Sequence, residues 1–349
     1  MKPALEAGVE SAAVDLDVVF LGTSGSVPTA KRALSATLVR RGGERLLFDC
    51  AEGTQRQLLR CDVGLVELEE IFLTHYHADH YLGLPGMLKT FSLRGRELPL
   101  TIYGPRGLRE LLASLKRIFG RLTYPFDAVE LDPGDGLERD GYRLETFAVD
   151  HGLPAIGYAL VEAERPGRFD PETADRLGVP DGPERGVLQR GGTVSLADGG
   201  TVRPDDVLGP SRAGRKVVLS GDTAPAKTVV EAAAGAELLV HEATFLSDET
   251  ERAKETLHST AGGAALVARE AGVKLLALTH LSTRYFGHQV VEEAQQLFPD
   301  TVVPRDFDLV VVPFPERGSP ELVRDGARSA RARTTDPASS EAVVGSGEP

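Results

Sequence analysis

Residues 74–80 read Thr-His-Tyr-His-Ala-Asp-His and set three imidazoles and a carboxylate within six positions. No other feature limits the fold so much, because groups this dense are useful only where the chain collects them around a cation. They follow an apolar run, Glu70-Ile71-Phe72-Leu73, that reads as a buried strand. His75 and His77 are two apart, so an extended segment points both to one side. Asp79 and His80 then fall at the start of a helical pattern that runs to residue 93. One zinc ion is satisfied by three protein ligands and a water. The supply here exceeds that, which favours a pocket for two adjacent metal ions.

The other histidines follow a positional rule. His151 ends the strand-like run 144–149, His241 ends 236–240, and His280 ends 273–278. Asp222, in Ser220-Gly221-Asp222-Thr223, ends the apolar run 216–219. Residue types that bind metal therefore recur at the ends of apolar strands, where they can converge on one rim. Any one of them, taken singly, reads as an ordinary capped or surface residue. His258, in His258-Ser259-Thr260, and His288, beside a helix start, complete the eight histidines of the chain.

At 349 residues with 41% hydrophobic content, the chain can bury a large core or two layers of one. No apolar run approaches the length of a membrane span, and residues 1–14 lack the basic start and apolar centre of a signal peptide. The expectation is a soluble cytoplasmic protein with no membrane partner. Cys50 and Cys61 are the only cysteines, too few for a disulfide scaffold or a thiolate zinc site. The net charge of −13 argues at first sight against nucleic acid. Between residues 86 and 121, however, eight Lys and Arg face two acids, a local balance of +6 directly after the His75–His80 cluster. Such a face suits a polyanion, although a solvated helix surface would read the same way.

Strands read at about 16–21, 36–40, 46–49, 70–74, 100–103, 128–131, 143–149, 155–161, 216–220, 238–241, 274–279 and 309–312. Helices read at about 54–61, 80–93, 107–119, 226–233, 260–270 and 289–298. Paired early strands and later alternation point to an α/β fold with sheets sandwiched between helix layers. The expected domain spans 15–315, after a flexible N-terminus at 1–14. Residues 164–215, rich in Gly, Pro and charge, read as an arm inserted between two strands. Residues 316–349 lack apolar periodicity and read as a disordered tail.

Taken together, these motifs resemble the tRNase Z family (ribonuclease Z, tRNA 3′-processing endoribonucleases) of the metallo-β-lactamase superfamily. The resemblance covers almost all of residues 18–313. It runs through Phe20-Leu21-Gly22-Thr23-Ser24-Gly25, Phe48-Asp49-Cys50-Ala51-Glu52-Gly53-Thr54-Gln55, the His75–His80 cluster, His151 and Gly221-Asp222-Thr223. His241-Glu242-Ala243-Thr244, His258-Ser259-Thr260 and Thr279-His280-Leu281-Ser282 complete it. The cluster alone marks the superfamily, while the His-Glu-Ala-Thr and His-Ser-Thr elements with the arm single out the RNA-processing branch.

The resemblance implies a metallo-β-lactamase-type αβ/βα four-layer sandwich with two zinc ions, or other divalent ions, per subunit. It implies that His75, His77 and His151 hold one ion, that Asp79, His80 and His280 hold the other, and that Asp222 bridges them. Asp49 would orient the site without touching metal. The ions would activate a water for in-line attack, with Asp79 as base. Glu242 would support His258, which protonates the leaving ribose oxygen. The implied substrate is a precursor tRNA cut beyond its acceptor stem, leaving a 3′-hydroxyl on the tRNA and a 5′-phosphate on the trailer. A homodimer is implied as well, with the arm of one subunit, including Gly182-Pro183, gripping RNA at the other's site.

Two features depart from the family pattern. The arm's charge is balanced, with nine cations against nine acids over residues 164–216. The loop that often reads Pro-x-Lys-x-Arg-Asn is here Pro28-Thr29-Ala30-Lys31-Arg32-Ala33. Two other readings remain open at this point. One is a dimetal hydrolase of a small phosphodiester or another ester, since one scaffold hosts many chemistries. The other is an RNA-binding protein without turnover, for which the full ligand set and the Glu242–His258 pair would be superfluous.

Overall fold

The apolar runs of the sequence become strands because both of their faces are covered. In a computed structural model, which describes residues 14–65 and 68–327, strand Leu16–Gly22 is buried at every position except Asp17. It pairs antiparallel with Ala36–Arg41, which pairs antiparallel with Glu44–Phe48. The sheet continues in parallel through Glu70–Phe72, Leu100–Gly104 and Phe126–Glu130. Leu309–Val311 and Glu321–Val323 extend its other edge, giving eight strands. A second sheet of seven strands carries Lys216–Leu219, Leu238–Glu242, Leu275–Thr279 and Thr301–Val302 in parallel, with Ile156–Glu162 antiparallel beside the first of these.

Alternation of side chains divides each sheet between two cores. Val18, Phe20, Phe48 and Phe72 of the first sheet meet Leu144, Tyr158, Leu219 and Val240 of the second. The opposite face of the first sheet, with Val19, Leu47 and Ile71, packs on helices Thr54–Arg60, Leu84–Leu93 and Leu108–Phe119. The opposite face of the second, with Val218 and Leu239, packs on helices Lys227–Ala233, Ala261–Ala271 and Gly287–Gln295. This is the four-layer αβ/βα sandwich expected from the sequence.

Local chemistry explains where the reading of the sequence differs. The helical pattern from residue 80 to 93 is two helices, Ala78–Tyr81 and Leu84–Leu93. Pro85 lies in the first turn of the second, where its missing N–H costs nothing. Gly83, between them, lies so close to the Ala51 carbonyl that a Cβ would stand 1.9 Å from the oxygen. Residues 316–327, assigned to the tail, contain strand Glu321–Val323, too short for its alternation to register in sequence. Residues 1–13 and 328–349 lie outside the described residues.

Among the described residues the chain forms two units, one of residues 15–161 with 216–327, the other of Val14 with Glu162–Arg215. Within the second, residues 164–215 are not a plain loop. They form helices Pro171–Arg176, Pro183–Gln189 and Pro204–Val207, and a small ladder of Val194–Ser195 with Thr201–Val202. Ala174, Val179, Leu188, Val194, Val202 and Val207 give this unit a small core of its own. Pro171, Pro183 and Pro204 each sit in the first turn of one of these helices, a position open to Pro.

Phe72 stacks on Phe48 and Tyr103 at centroid distances of 5.0 and 4.7 Å and meets Tyr158 of the facing sheet edge-on at 5.6 Å. Phe72→Ala is expected to lower unfolding free energy by about 3–5 kcal/mol in urea titrations. A loss below about 1 kcal/mol would contradict the packing of the two sheets through this ring.

Candidate metal centre

Every group singled out at a strand end, except His241, reaches one rim. His75 and His77 follow strand Glu70–Phe72, and Asp79 and His80 sit on the single-turn helix after it. His151 follows Tyr142–Ala148, Asp222 follows Lys216–Leu219, and His280 follows Leu275–Thr279. Glu242 ends its own strand, and His258 follows helix Thr250–Thr256.

The ligand atoms form two groups around one carboxylate. In the first, His77 Nδ1 lies 3.1 Å from His75 Nε2 and 3.1 Å from His151 Nε2. Asp222 Oδ2 stands 3.8 Å from His75 Nε2 and 3.9 Å from His151 Nε2. In the second, Asp79 Oδ2 lies 3.3 Å from His280 Nε2, while Asp222 Oδ2 lies 3.3 Å from His80 Nε2 and 3.2 Å from His280 Nε2. Four nitrogens arranged tetrahedrally around zinc stand about 3.3 Å apart, so these spacings suit a shared cation.

The partners of the rings show which nitrogen is left for metal. His80 Nδ1–H donates to Asp49 Oδ2 at 2.7 Å, and Asp49 is itself held by the Thr74 N–H at 2.9 Å. His151 Nδ1–H donates to the Leu257 carbonyl at 3.1 Å, and His280 Nδ1–H to Thr244 Oγ1 at 2.8 Å. His75 Nδ1–H donates to Thr74 Oγ1 at 3.0 Å, since that hydroxyl gives its own hydrogen to Asp49. Each Nε2 then faces the centre as the atom a cation would take in place of a proton. His80 Nε2 is buried with no hydrogen-bond partner, an arrangement that costs free energy unless a cation is bound.

Charge gives the same result. Asp49, Asp222 and Glu242 are buried, and the ion-pair partners of Asp49, Asp79, Asp222 and Glu242 among the described residues are all histidines. Burial works against ionisation of Asp222, yet His280 and His80 hold its pKa well below the carboxylate range. Burial likewise works against charge on His80, yet Asp222 and Asp49 hold its pKa well above the imidazole range. His75 is pushed well below that range by burial and by His80. The site attracts positive charge, and imidazole with carboxylate is a donor set suited to divalent transition metals. The residues present fit a divalent metal site.

Beside this centre lies a second arrangement. Glu242 Oε1 accepts the His258 Nδ1–H at 2.6 Å and the Thr223 N–H at 3.0 Å. Its Oε2 accepts from the Thr244 hydroxyl at 2.6 Å. Burial disfavours charge on His258, but Glu242 outweighs it and raises the pKa to about 9. His258 Nδ1 stands 3.9 Å from Asp222 Oδ2, so the pair borders the metal centre.

Reading the sequence left several supports unseen. Thr244 gives its hydroxyl hydrogen to Glu242 and accepts one from His280, joining both halves of the site. Its position two residues after Glu242, on the same side of extended chain, was the available signal. Thr74, the Leu257 carbonyl and the Ser26 N–H, which donates to Asp79 Oδ2 at 2.6 Å, leave no such trace. Asp49, Leu257 and His280 all hold left-handed backbone, at φ 59, 55 and 57°. Such strain concentrates at functional sites. His241 faces away from Glu242, buried, and donates Nδ1–H to the Glu242 carbonyl at 2.8 Å. His288 is exposed, stacked on Phe286, and outside the centre.

A model of the metallo-beta-lactamase superfamily matches residues 31–268. A ribonuclease Z of Methanosarcina acetivorans is 45% identical over 302 residues, 86% of this chain and 99% of that protein. A ribonuclease Z of Myxococcus xanthus is 51% identical over 271 residues, 77% of this chain and 88% of that protein. The crystal structure of human tRNase Z, short form, superposes with a TM-score of 0.62 at 27% identity, covering 85% of this chain and all of that one.

Asp222→Ala is expected to strip divalent metal from the purified protein, read by elemental analysis; a variant that keeps a full metal complement would remove Asp222 from the ligands. Thr244→Val keeps the volume but releases His280 and Glu242. It is expected to weaken metal retention about 10- to 100-fold in chelator competition, and unchanged retention would show that the hydroxyl does not support the centre.

Proposed function

The chain belongs to the ribonuclease Z family of the metallo-beta-lactamase superfamily, and on that premise we propose a zinc-dependent endoribonuclease that removes 3′ trailers from precursor tRNA. The cut leaves a 3′-hydroxyl on the tRNA and a 5′-phosphate on the trailer. The observation that carries this reading is the Glu242–His258 pair, 2.6 Å apart, beside a centre gathered around Asp222. A cation site alone would serve many hydrolases, whereas a supported imidazole next to it serves a leaving group that needs a proton.

In this reading His75, His77 and His151 hold one ion, Asp79, His80 and His280 the other, and Asp222 both. The imidazole-rich donor set favours zinc. Bound there, divalent ions supply Lewis acidity that lowers the pKa of a water and offsets charge on the phosphoryl oxygens. Asp79, with Oδ2 held by the Ser26 N–H, orients the attacking water and takes its proton. His258, fixed through Nδ1 by Glu242, presents Nε2 to the ribose 3′-oxygen and gives it a proton as the P–O bond breaks. A pKa raised to about 9 keeps that proton available at neutral pH. Asp49, Thr74, Thr244 and Leu257 hold the imidazoles in the required tautomer.

No helix among the described residues is long and apolar enough to cross a membrane. Action on precursor tRNA in the cytoplasm as a homodimer belongs to the same reading. The exposed Lys89, Arg94, Arg109, Lys116, Arg117 and Arg121 would favour approach of a polyanion.

The direct test is incubation of zinc-loaded protein with end-labelled precursor tRNA beside bis(p-nitrophenyl) phosphate. A single cut near the end of the acceptor stem supports the reading; hydrolysis of the small diester with RNA left intact contradicts it. His258→Ala is expected to keep its metal and cut RNA about 10²- to 10⁴-fold more slowly. Its loss on the small diester should be far less, because p-nitrophenolate leaves without a proton. Equal losses on both substrates would remove His258 as the acid.

A further inference from the structure

Outside the metal centre, a cleft of about 580 Å3 opens between the 25–33 loop and the start of helix Gly287–Gln295. Its charged lining is all basic, with Lys31, Arg32, His288, Arg305 and Arg324 and no acid, in a protein of net charge −13. Arg324 pairs with Asp308, but Lys31, Arg32 and Arg305 make no ion pair among the described residues. Arg32 is fixed by donating to Thr23 Oγ1 at 2.5 Å and to the Pro304 carbonyl at 2.8 Å. Burial lowers its pKa and, against the pull of Asp306, Arg305 repels it. Asp306 is itself occupied, accepting from Thr23, Ala33 and Gln57. Asp306 and Asp308 offset part of this charge from outside the lining, and the remainder favours an anion in the cavity.

The cleft has an aromatic wall as well. Phe286 is 73% exposed, and its ring stacks on His288 at 5.7 Å and 15°. A large apolar ring this exposed at the mouth of a basic cavity is the pairing that single-stranded nucleic acid uses, with bases stacked and phosphates neutralised. Both walls lie on chain segments that also touch or follow the metal centre. The 25–33 loop carries Ser26, whose N–H reaches Asp79, and Phe286 lies six residues after His280.

We propose that this cleft binds the single-stranded 3′ trailer of the RNA, with a phosphate against Arg305 and Lys31 and a base stacked on Phe286. The proposal rests on the RNA-processing reading above and adds to it a subsite for the part of the substrate that is discarded. It also supplies cationic grip that the charge-balanced residues 164–216 do not offer by composition.

The test compares precursor tRNAs with a single-nucleotide trailer and a long trailer on the zinc-loaded full chain. For the unaltered protein, KM for the long trailer should be about tenfold lower than for the single nucleotide. Phe286→Ala and Arg305→Glu should each bring the two KM values together, and Arg305→Glu should flatten the salt dependence for the long trailer. Both positions are exposed, and circular dichroism with metal analysis checks that each variant is folded and loaded. Equal KM values for both trailers in the unaltered protein, or an advantage that survives in both variants, overturns the subsite. If no precursor tRNA is cut while bis(p-nitrophenyl) phosphate is, the substrate reading has failed instead. Fluorescence anisotropy of a short labelled oligoribonucleotide then decides the cleft separately, with binding lost in Arg305→Glu expected and binding unchanged contrary to it.

Discussion

Four carboxylates, Asp49, Asp79, Asp222 and Glu242, face each other across one rim with imidazoles as their charged partners. Buried carboxylates without compensating charge cost several kcal/mol each, and imidazoles offset this only when protonated. The opposed shifts of Asp222 and His80 express that tension, each held ionised by the other against its burial. A divalent cation relieves it more fully than protons do. Much of the architecture around the rim can be understood as holding the repelling groups in place until the cation binds.

The sandwich does this by ending its strands together. Among the parallel strands, Glu44–Phe48, Glu70–Phe72, Lys216–Leu219, Leu238–Glu242 and Leu275–Thr279 each end at or just before a candidate ligand or support. Cost appears where the backbone must bend sharply to do so, as at Asp49, His280 and Leu257 with their positive φ. Gly25 shows the same pressure, since a Cβ there would stand 2.5 Å from the His280 ring. A hydrogen-bonded chain from His280 through Thr244 and Glu242 to His258 then links the candidate metal centre to the proposed acid. The orientations of His280 and His258 thus depend on shared residues, and a change at Thr244 reaches both.

How legible this was depends on the kind of signal. Strand positions and the ends that carry His75, His77, His151, Asp222 and His280 followed from apolar runs closed by polar residues, which is local information. The layering followed from alternation of those runs with helical periods. The helices within residues 164–215 were not legible, because Gly and Pro in such density read as turns, while Pro in the first turn of a helix is permitted. The basic cleft was out of reach for another reason. Lys31, Phe286, Arg305 and Arg324 are far apart in sequence, and only the third dimension shows that they line one cavity. Backbone supports such as the Leu257 carbonyl carry no side-chain signature at all.

The central claim is that the rim exists to hold cations on either side of Asp222. Anomalous X-ray scattering measured at the zinc edge on crystals of the zinc-loaded protein tests it most directly. The account predicts two peaks, one among His75, His77 and His151 and one among Asp79, His80 and His280, with Asp222 between them. A single peak, or metal held elsewhere with Asp222 unligated, would contradict it.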